Sequence, residues 1–274
     1  IKNSKLAPYQ KKNLNSKNID QYKMLKNLEL NNENIDKLIK YAKKIKINIL
    51  LSVFDHKSLD FVKKQKMKFL KIPSGEITNL PYLRHIGSMG KPIVMSTGMA
   101  NMAEVQSAIN ILMESGSQKE KITVLHCNTE YPTPLKDANI KAMLTLKKNC
   151  LTEIGYSDHT NGINSSLAAI ANGAKFIEKH FMISNKIKSL DSQFSINVSQ
   201  FSELRKRGDE ISLALGTKDI RLKPPEKKSI KFRRSIFAKK DIKKGENFSE
   251  KNLKNLRPVI GITADNYYKI IGKR

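Results

Sequence analysis

A single pattern, repeated six times between about residue 33 and residue 216, restricts what this chain can become. Each repeat joins a short β-branched or apolar run to a polar turn and then to a segment with helical 3.6-residue periodicity. The runs are Ile47–Phe54, Lys68–Ile72, Pro92–Thr97, Ile122–Cys127, Glu153–Ser157 and Lys175–Phe181. The spacing predicts helices over Leu59–Lys64, Leu80–Ser88, Met102–Glu114, Ile140–Lys148, Ile163–Asn172 and Val198–Leu215, with an earlier one, Ile35–Lys46, ahead of the first run. Runs start roughly 20–30 residues apart, which suits βα units with short loops. Strands alternating with helices imply a parallel sheet, and continuous apolar runs imply strands buried on both faces. A doubly wound sheet and a closed barrel both satisfy these conditions. A complete barrel has eight βα units in typically about 250 residues. Six are legible here, so for a barrel the missing units would lie before Ile1. Both ends of the chain read as cut rather than finished.

The repeat stops at Thr217. Residues 217–230 read as a linker centred on Lys223-Pro224-Pro225-Glu226-Lys227-Lys228. A small β-rich unit is expected over 231–274, where Asp241-Ile242-Lys243-Lys244-Gly245-Glu246 reads as strand-turn-strand with glycine in the turn. The net charge of +26 raises the question of an anionic partner. The lysines are dispersed, however, and the two denser groups, Lys63, Lys64, Lys66, Lys68 and Lys239, Lys240, Lys243, Lys244, lack interleaved aromatics for base stacking. A nucleic-acid partner is therefore not expected. No apolar run approaches the ~20 residues that span a bilayer, and no signal peptide is visible, so no membrane partner is expected either. The two cysteines, Cys127 and Cys150, have no metal-type spacing and indicate no disulfide framework, which makes a reducing cytoplasm the expected compartment.

Polar residues with chemical capability gather at the C-terminal ends of the runs. Ser52 and Asp55 close the first; Lys71, Ser74 and Glu76 follow the second; Ser96 and Thr97 close the third. His126, Asn128, Thr129 and Tyr131 follow the fourth, Ser157, Asp158 and His159 the fifth, and Glu178, Lys179 and His180 the sixth. In a parallel barrel these ends converge on the face that carries the active site. Polar loops alone explain serines and asparagines, but less well two histidines, a lysine and a glutamate. His159 and His180 come from neighbouring runs, so their imidazoles, favoured ligands of ions such as Mn and Zn, can meet across a metal. A strand-end lysine such as Lys71 can hold a phosphate as a point charge. Ser74 and the Gly75 backbone can add hydrogen bonds, and Glu76 can donate a proton or hold a sugar hydroxyl.

The stretch Lys71–Glu76, together with Ser96-Thr97-Gly98-Met99, His126–Pro134, Gly155-Tyr156-Ser157-Asp158-His159-Thr160 and Ile177-Glu178-Lys179-His180-Phe181, resembles the sialic-acid synthase family, the N-acetylneuraminate, legionaminate and pseudaminate synthases. The segment Arg233–Gly261, with Arg257-Pro258, resembles that family's C-terminal antifreeze-like (SAF) domain. The resemblance implies a (β/α)8 TIM-type barrel, here without its first two units, over residues 1–216, and a partial SAF domain of β-clip type over 231–274. It implies an enzyme that condenses phosphoenolpyruvate with an N-acetylated amino sugar to give a nonulosonic acid and phosphate. By motif, His159 and His180 would hold Mn²⁺ or another divalent cation. Lys71, Ser74, Ser96, Thr129 and Ser157 would hold phosphoenolpyruvate, with Ser52 where the family usually has Thr. Glu76, Tyr131 and Asp191 would contact the sugar, and Arg257 would reach it from the partner chain of a domain-swapped homodimer.

The chain departs from the family pattern at several points. The opening strands, with their Asn-His and Lys-Phe-Gln motifs, are absent. The usual Ser-Thr-Pro-Phe-Asp reads Leu51-Ser52-Val53-Phe54-Asp55. The stretch Leu190-Asp191-Ser192-Gln193-Phe194 keeps the aspartate but not the His and Lys usual in the legionaminate branch. These departures motivate the alternative of a non-catalytic relative that keeps the fold and the metal site, and they leave the sugar open.

Overall fold

The structure, a computed structural model, describes residues 6, 10–11, 21–65, 67–187 and 189–274. Lys66, part of one basic group, lies outside the described residues. The chain divides into two compact units, Ile1–Gly216 and Thr217–Arg274. The first opens with helices α1 (Gln21–Leu28), α2 (Asn32–Lys44) and α3 (His56–Lys64). It continues as β1 (Leu70–Ile72), α4 (Leu80–Gly87), β2 (Ile93–Ser96), α5 (Met102–Glu114), β3 (Ile122–Cys127), α6 (Ala142–Cys150), β4 (Glu153–Asp158), α7 (Asn164–Ala171), β5 (Phe176–Lys179) and α8 (Val198–Leu215). The five strands form one parallel sheet in sequential order, β1 to β5. That order, with a helix after every strand, is the arrangement of barrel staves.

Local sequence starts five of these helices. Asn31, Asp55, Asn79, Asn101 and Asn197 cap their helices through side-chain oxygens that accept from backbone N–H groups. Asn101 with Glu104 and Asn197 with Gln200 form reciprocal capping boxes. Two serine bonds, from the Ser58 hydroxyl and the Ser58 N–H, hold the Asp55 carboxyl below its ordinary pKa. Between helices and sheet lies a continuous apolar core that includes Leu59, Ile72, Leu83, Met95, Leu112, Val124, Met143 and Tyr156. Strands β1 and β2 are buried along their whole length, as the continuous apolar runs predict.

At the flanks the structure is looser than expected. The run Ile47–Phe54 makes no ladder; it contributes one parallel bridge, Ser52 to Lys71, and the Tyr82 hydroxyl donates to the Val53 carbonyl at 2.8 Å. On the far side Ile196 pairs with Phe181, a station the periodicity did not reveal because it is a single bridge.

The second unit has a 3-10 helix, Pro224–Phe232, an antiparallel pair β6 (Ser235–Ala238) and β7 (Leu253–Leu256), and a short helix α9 (Tyr267–Ile270). The 3-10 helix begins inside the stretch read as linker, where two prolines suit a first turn and Glu226 accepts from the Lys223 N–H. The strand-turn-strand expected at Asp241–Glu246 is only a turn, with Gly245 at φ +86°. Side chains organise that loop instead: Glu246 accepts from the Lys243 N–H, and the Asn252 amide donates to Glu246 and to the Asn247 carbonyl.

Candidate active site

The strand ends of the first unit surround a cleft of about 890 Å³. Ser52, Lys71, Ser74, Ser96, Thr129, Tyr131, Ser157, His159 and His180 all line it, from the strands and bridge or the turns that follow them. Glu76 and Asp191 are not among the lining residues. Glu76 accepts from the Asn79 amide at 2.6 Å, and Asp191 stands behind His180. Arg257 is exposed in the second unit.

One side of the cleft is built for an anion. Lys71 is 5% exposed, yet its ammonium reaches the Ser96 hydroxyl and lies 3.1 Å from a Glu178 carboxylate oxygen. The other Glu178 oxygen accepts from Ser157 at 2.7 Å. Lysine, serines and glutamate thus form one network across β1, β2, β4 and β5. Ser74 turns its hydroxyl to the Gly98 N–H at 3.0 Å. A Cβ at Gly98 would stand 2.6 Å from the Thr129 methyl and 2.8 Å from the Ser74 hydroxyl, so the three turns meet in contact there.

The opposite side is aromatic. The rings of His159 and His180 stand side by side with centroids 5.3 Å apart and planes tilted by 60°. Tyr131 lies 4.2 Å from His159, and Phe194 lies 4.7 Å from His180. His159 Nδ1 sits 2.6 Å from the Asn128 carbonyl oxygen, which can only accept, so the proton is on Nδ1 and Nε2 keeps its lone pair. Burial lowers the His159 pKa to about 4, which leaves the imidazole neutral as a metal ligand must be. His180 Nδ1 lies 3.4 Å from Asp191. A backbone carbonyl on one imidazole and a carboxylate on the other are the outer partners that orient metal-binding histidines. The donor set therefore fits a divalent ion. Among the described residues no three His, Cys, Asp or Glu side chains converge on one point.

In the sequence Glu178 is one polar strand-end residue among several, with no motif of its own to mark its role. The available signal was the period of two along β5, which puts Glu178 and His180 on one face and Lys179 on the other. Lys179 goes instead into a buried pair with Asp158, where loss of water lowers its pKa. Another strand-end histidine, His126, is engaged elsewhere, with Nε2 2.9 Å from the Ala138 carbonyl oxygen and its ring stacked on Tyr156. Cys127 and Cys150 are buried free thiols, and no described helix is long and apolar enough to cross a membrane.

Comparison with known proteins identifies the family. The NeuB family pattern matches residues 1–220, and the SAF domain pattern matches 233–274. An N,N'-diacetyllegionaminic acid synthase of Campylobacter jejuni is 44% identical over 271 residues, covering 98% of this chain and 81% of that protein. A pseudaminic acid synthase of the same organism is 35% identical over 223 residues, covering 81% of this chain and 64% of the relative. The crystal structure of an N-acetylneuraminic acid synthetase from Leptospira borgpetersenii superimposes with a TM-score of 0.70 at 30% identity, covering 75% of this chain and 71% of that one.

Proposed function

This chain belongs to the NeuB family and carries a SAF domain, and from that premise we propose that it condenses phosphoenolpyruvate with an N-acetylated amino sugar to form a nonulosonic acid and inorganic phosphate. One arrangement carries the reading: a buried Lys71 with serines on one wall of the cleft, and two neighbouring imidazoles on the other. Lys71, Ser74, Ser96, Thr129 and Ser157, with Ser52 at the rim, hold the phosphate and carboxylate of phosphoenolpyruvate. Tyr131, which lines the cleft, holds the open-chain sugar; Glu76 and Asp191 stand outside the lining, Glu76 bonded by the Asn79 amide and Asp191 against His180. The enol carbon C3 attacks the aldehyde carbon and forms the new C–C bond. Water adds at C2, and the C–O bond to phosphate breaks with the electron pair leaving on phosphate. His159 and His180 would hold a divalent ion, Mn²⁺ in this reading, which supplies Lewis-acid polarisation of the aldehyde oxygen. Glu178 orients Lys71 and Ser157 together, so the anion meets a fixed ammonium and a fixed hydroxyl.

The higher identity to a diacetyllegionaminic acid synthase than to a pseudaminic acid synthase favours a 2,4-diacetamido-6-deoxy sugar over its altrose analogue. Two copies of the chain, each offering Arg257 to the sugar bound by the other, belong to the same proposal, as does a cytoplasmic setting. The test is phosphate release from phosphoenolpyruvate and Mn²⁺ with N-acetylmannosamine, the diacetamido sugar and the altrose analogue in parallel. Release is expected with the diacetamido sugar. No release with any of the three would leave the alternative, a non-catalytic relative, to which the departures at Ser192 and Gln193 point.

A further inference from the structure

Asp158 and Lys179 stand opposite each other in the β4–β5 register, each one residue before a histidine of the cleft. Their side chains are 0% and 1% exposed and meet at 3.2 Å. The Lys179 ammonium also bonds the Thr160 carbonyl oxygen. It therefore holds both chain neighbours of His159 at once, while its own backbone leads directly into His180. Asp158 closes the turn further: Oδ1 accepts from the Thr160 N–H and hydroxyl, both at 2.8 Å, and Oδ2 accepts from Ser166 at 2.6 Å on α7. A buried ion pair is a poor source of stability, because desolvation offsets the attraction. What this one provides is position.

We propose that Lys179 and Asp158 form a clamp that sets the spacing of the two imidazoles, and that they are positioning residues for the metal. The inference rests on the two-imidazole reading of the site. Without the clamp, β4 and β5 remain paired through their backbones. The segment 158–160 then gains freedom to swing, and the 5.3 Å ring separation is no longer held.

The experiment is Mn²⁺ titration of the full chain by electron paramagnetic resonance, alongside thermal unfolding. The test variant is the neutral pair Asp158→Asn with Lys179→Met. The Asn oxygen can still accept from Thr160 and its amide can still donate to Ser166, so the unfolding midpoint is expected to stay within about 5 °C of the parent. Mn²⁺ affinity is expected to fall about ten-fold or more, the scale seen when outer partners of metal ligands are lost. A purely structural role predicts the opposite split, a large fall in midpoint with unchanged affinity in whatever remains folded. Should the neutral pair not fold, Lys179→Gln leaves Asp158 its bonds from Thr160 and Ser166 and is expected to weaken Mn²⁺ at least about three-fold. Parent-like affinity in either folded variant overturns the clamp and leaves the metal reading intact. A parent chain that binds no Mn²⁺, or a His159→Ala chain that binds it as well as the parent, removes the metal reading and the clamp with it.

Discussion

Lys71 is the residue on which the anion wall turns. Truncating it removes a buried cation and leaves the Glu178 carboxylate without its ion pair. Losing charged hydrogen bonds of this kind costs about 1.5–3 kcal/mol. Lys71→Ala is therefore expected to raise KM for phosphoenolpyruvate about 10- to 100-fold while KM for the sugar changes little. Initial-rate kinetics with each substrate varied in turn would show it, and an unchanged phosphoenolpyruvate KM would count against the assignment. His159→Ala and His180→Ala are each expected to abolish turnover together with its dependence on Mn²⁺; full activity in either would remove the metal from the mechanism. Much of the cleft was legible in the sequence, because Lys71, Ser96, Ser157 and the two histidines stand at strand ends. Glu178 was less so: its partners Lys71 and Ser157 lie on β1 and β4, and only the fold brings three strands to one network.

At the scale of elements, β4 is pressed hardest. A Cβ at Gly155 would stand 2.4 Å from the Phe176 carbonyl oxygen and 2.5 Å from a Leu125 methyl, with neighbouring strands on both sides. Gly155→Ala is expected to cost about 1–3 kcal/mol through overpacking, visible as a lower midpoint in urea unfolding with an unchanged slope. An unchanged midpoint would mean that β4 and β5 separate easily. The strands with neighbours on both sides were the ones sequence periodicity located well, since burial on both faces leaves an uninterrupted apolar signature. Ile47–Phe54 carries a similar signature but pairs only at Ser52, and Ile47 and Phe54 are exposed. Its apolar residues gave no information about whether a partner strand lay on its outer side. Asp241–Glu246 misled for a different reason. Gly245 does turn the chain, but Asn252 and Glu246 satisfy the backbone there, and no ladder is required.

For the whole molecule the dominant quantity is charge. A net +26 draws a multiply charged enol phosphate towards the protein from any direction, while a neutral sugar feels nothing of it. Salt shortens that reach, since the Debye length falls to about 3 Å at 1 M. Raising NaCl from about 50 to about 500 mM is expected to increase KM for phosphoenolpyruvate several-fold and to leave KM for the sugar within about two-fold. Equal effects on both would mean that the lysines act only as solvated surface.

Gly98 has a bearing beyond its own turn. Ser74 and Thr129 close on it so tightly that not one methyl group fits, and this happens on the wall opposite the imidazoles. A side chain at Gly98 would displace Ser74 and Thr129, two of the residues assigned to the enol phosphate. Tyr131, on the other half of the cleft, lines it away from the Gly98 turn, against His159. A chain built this way can be retuned from one amino sugar to another while its grip on the common three-carbon donor stays the same.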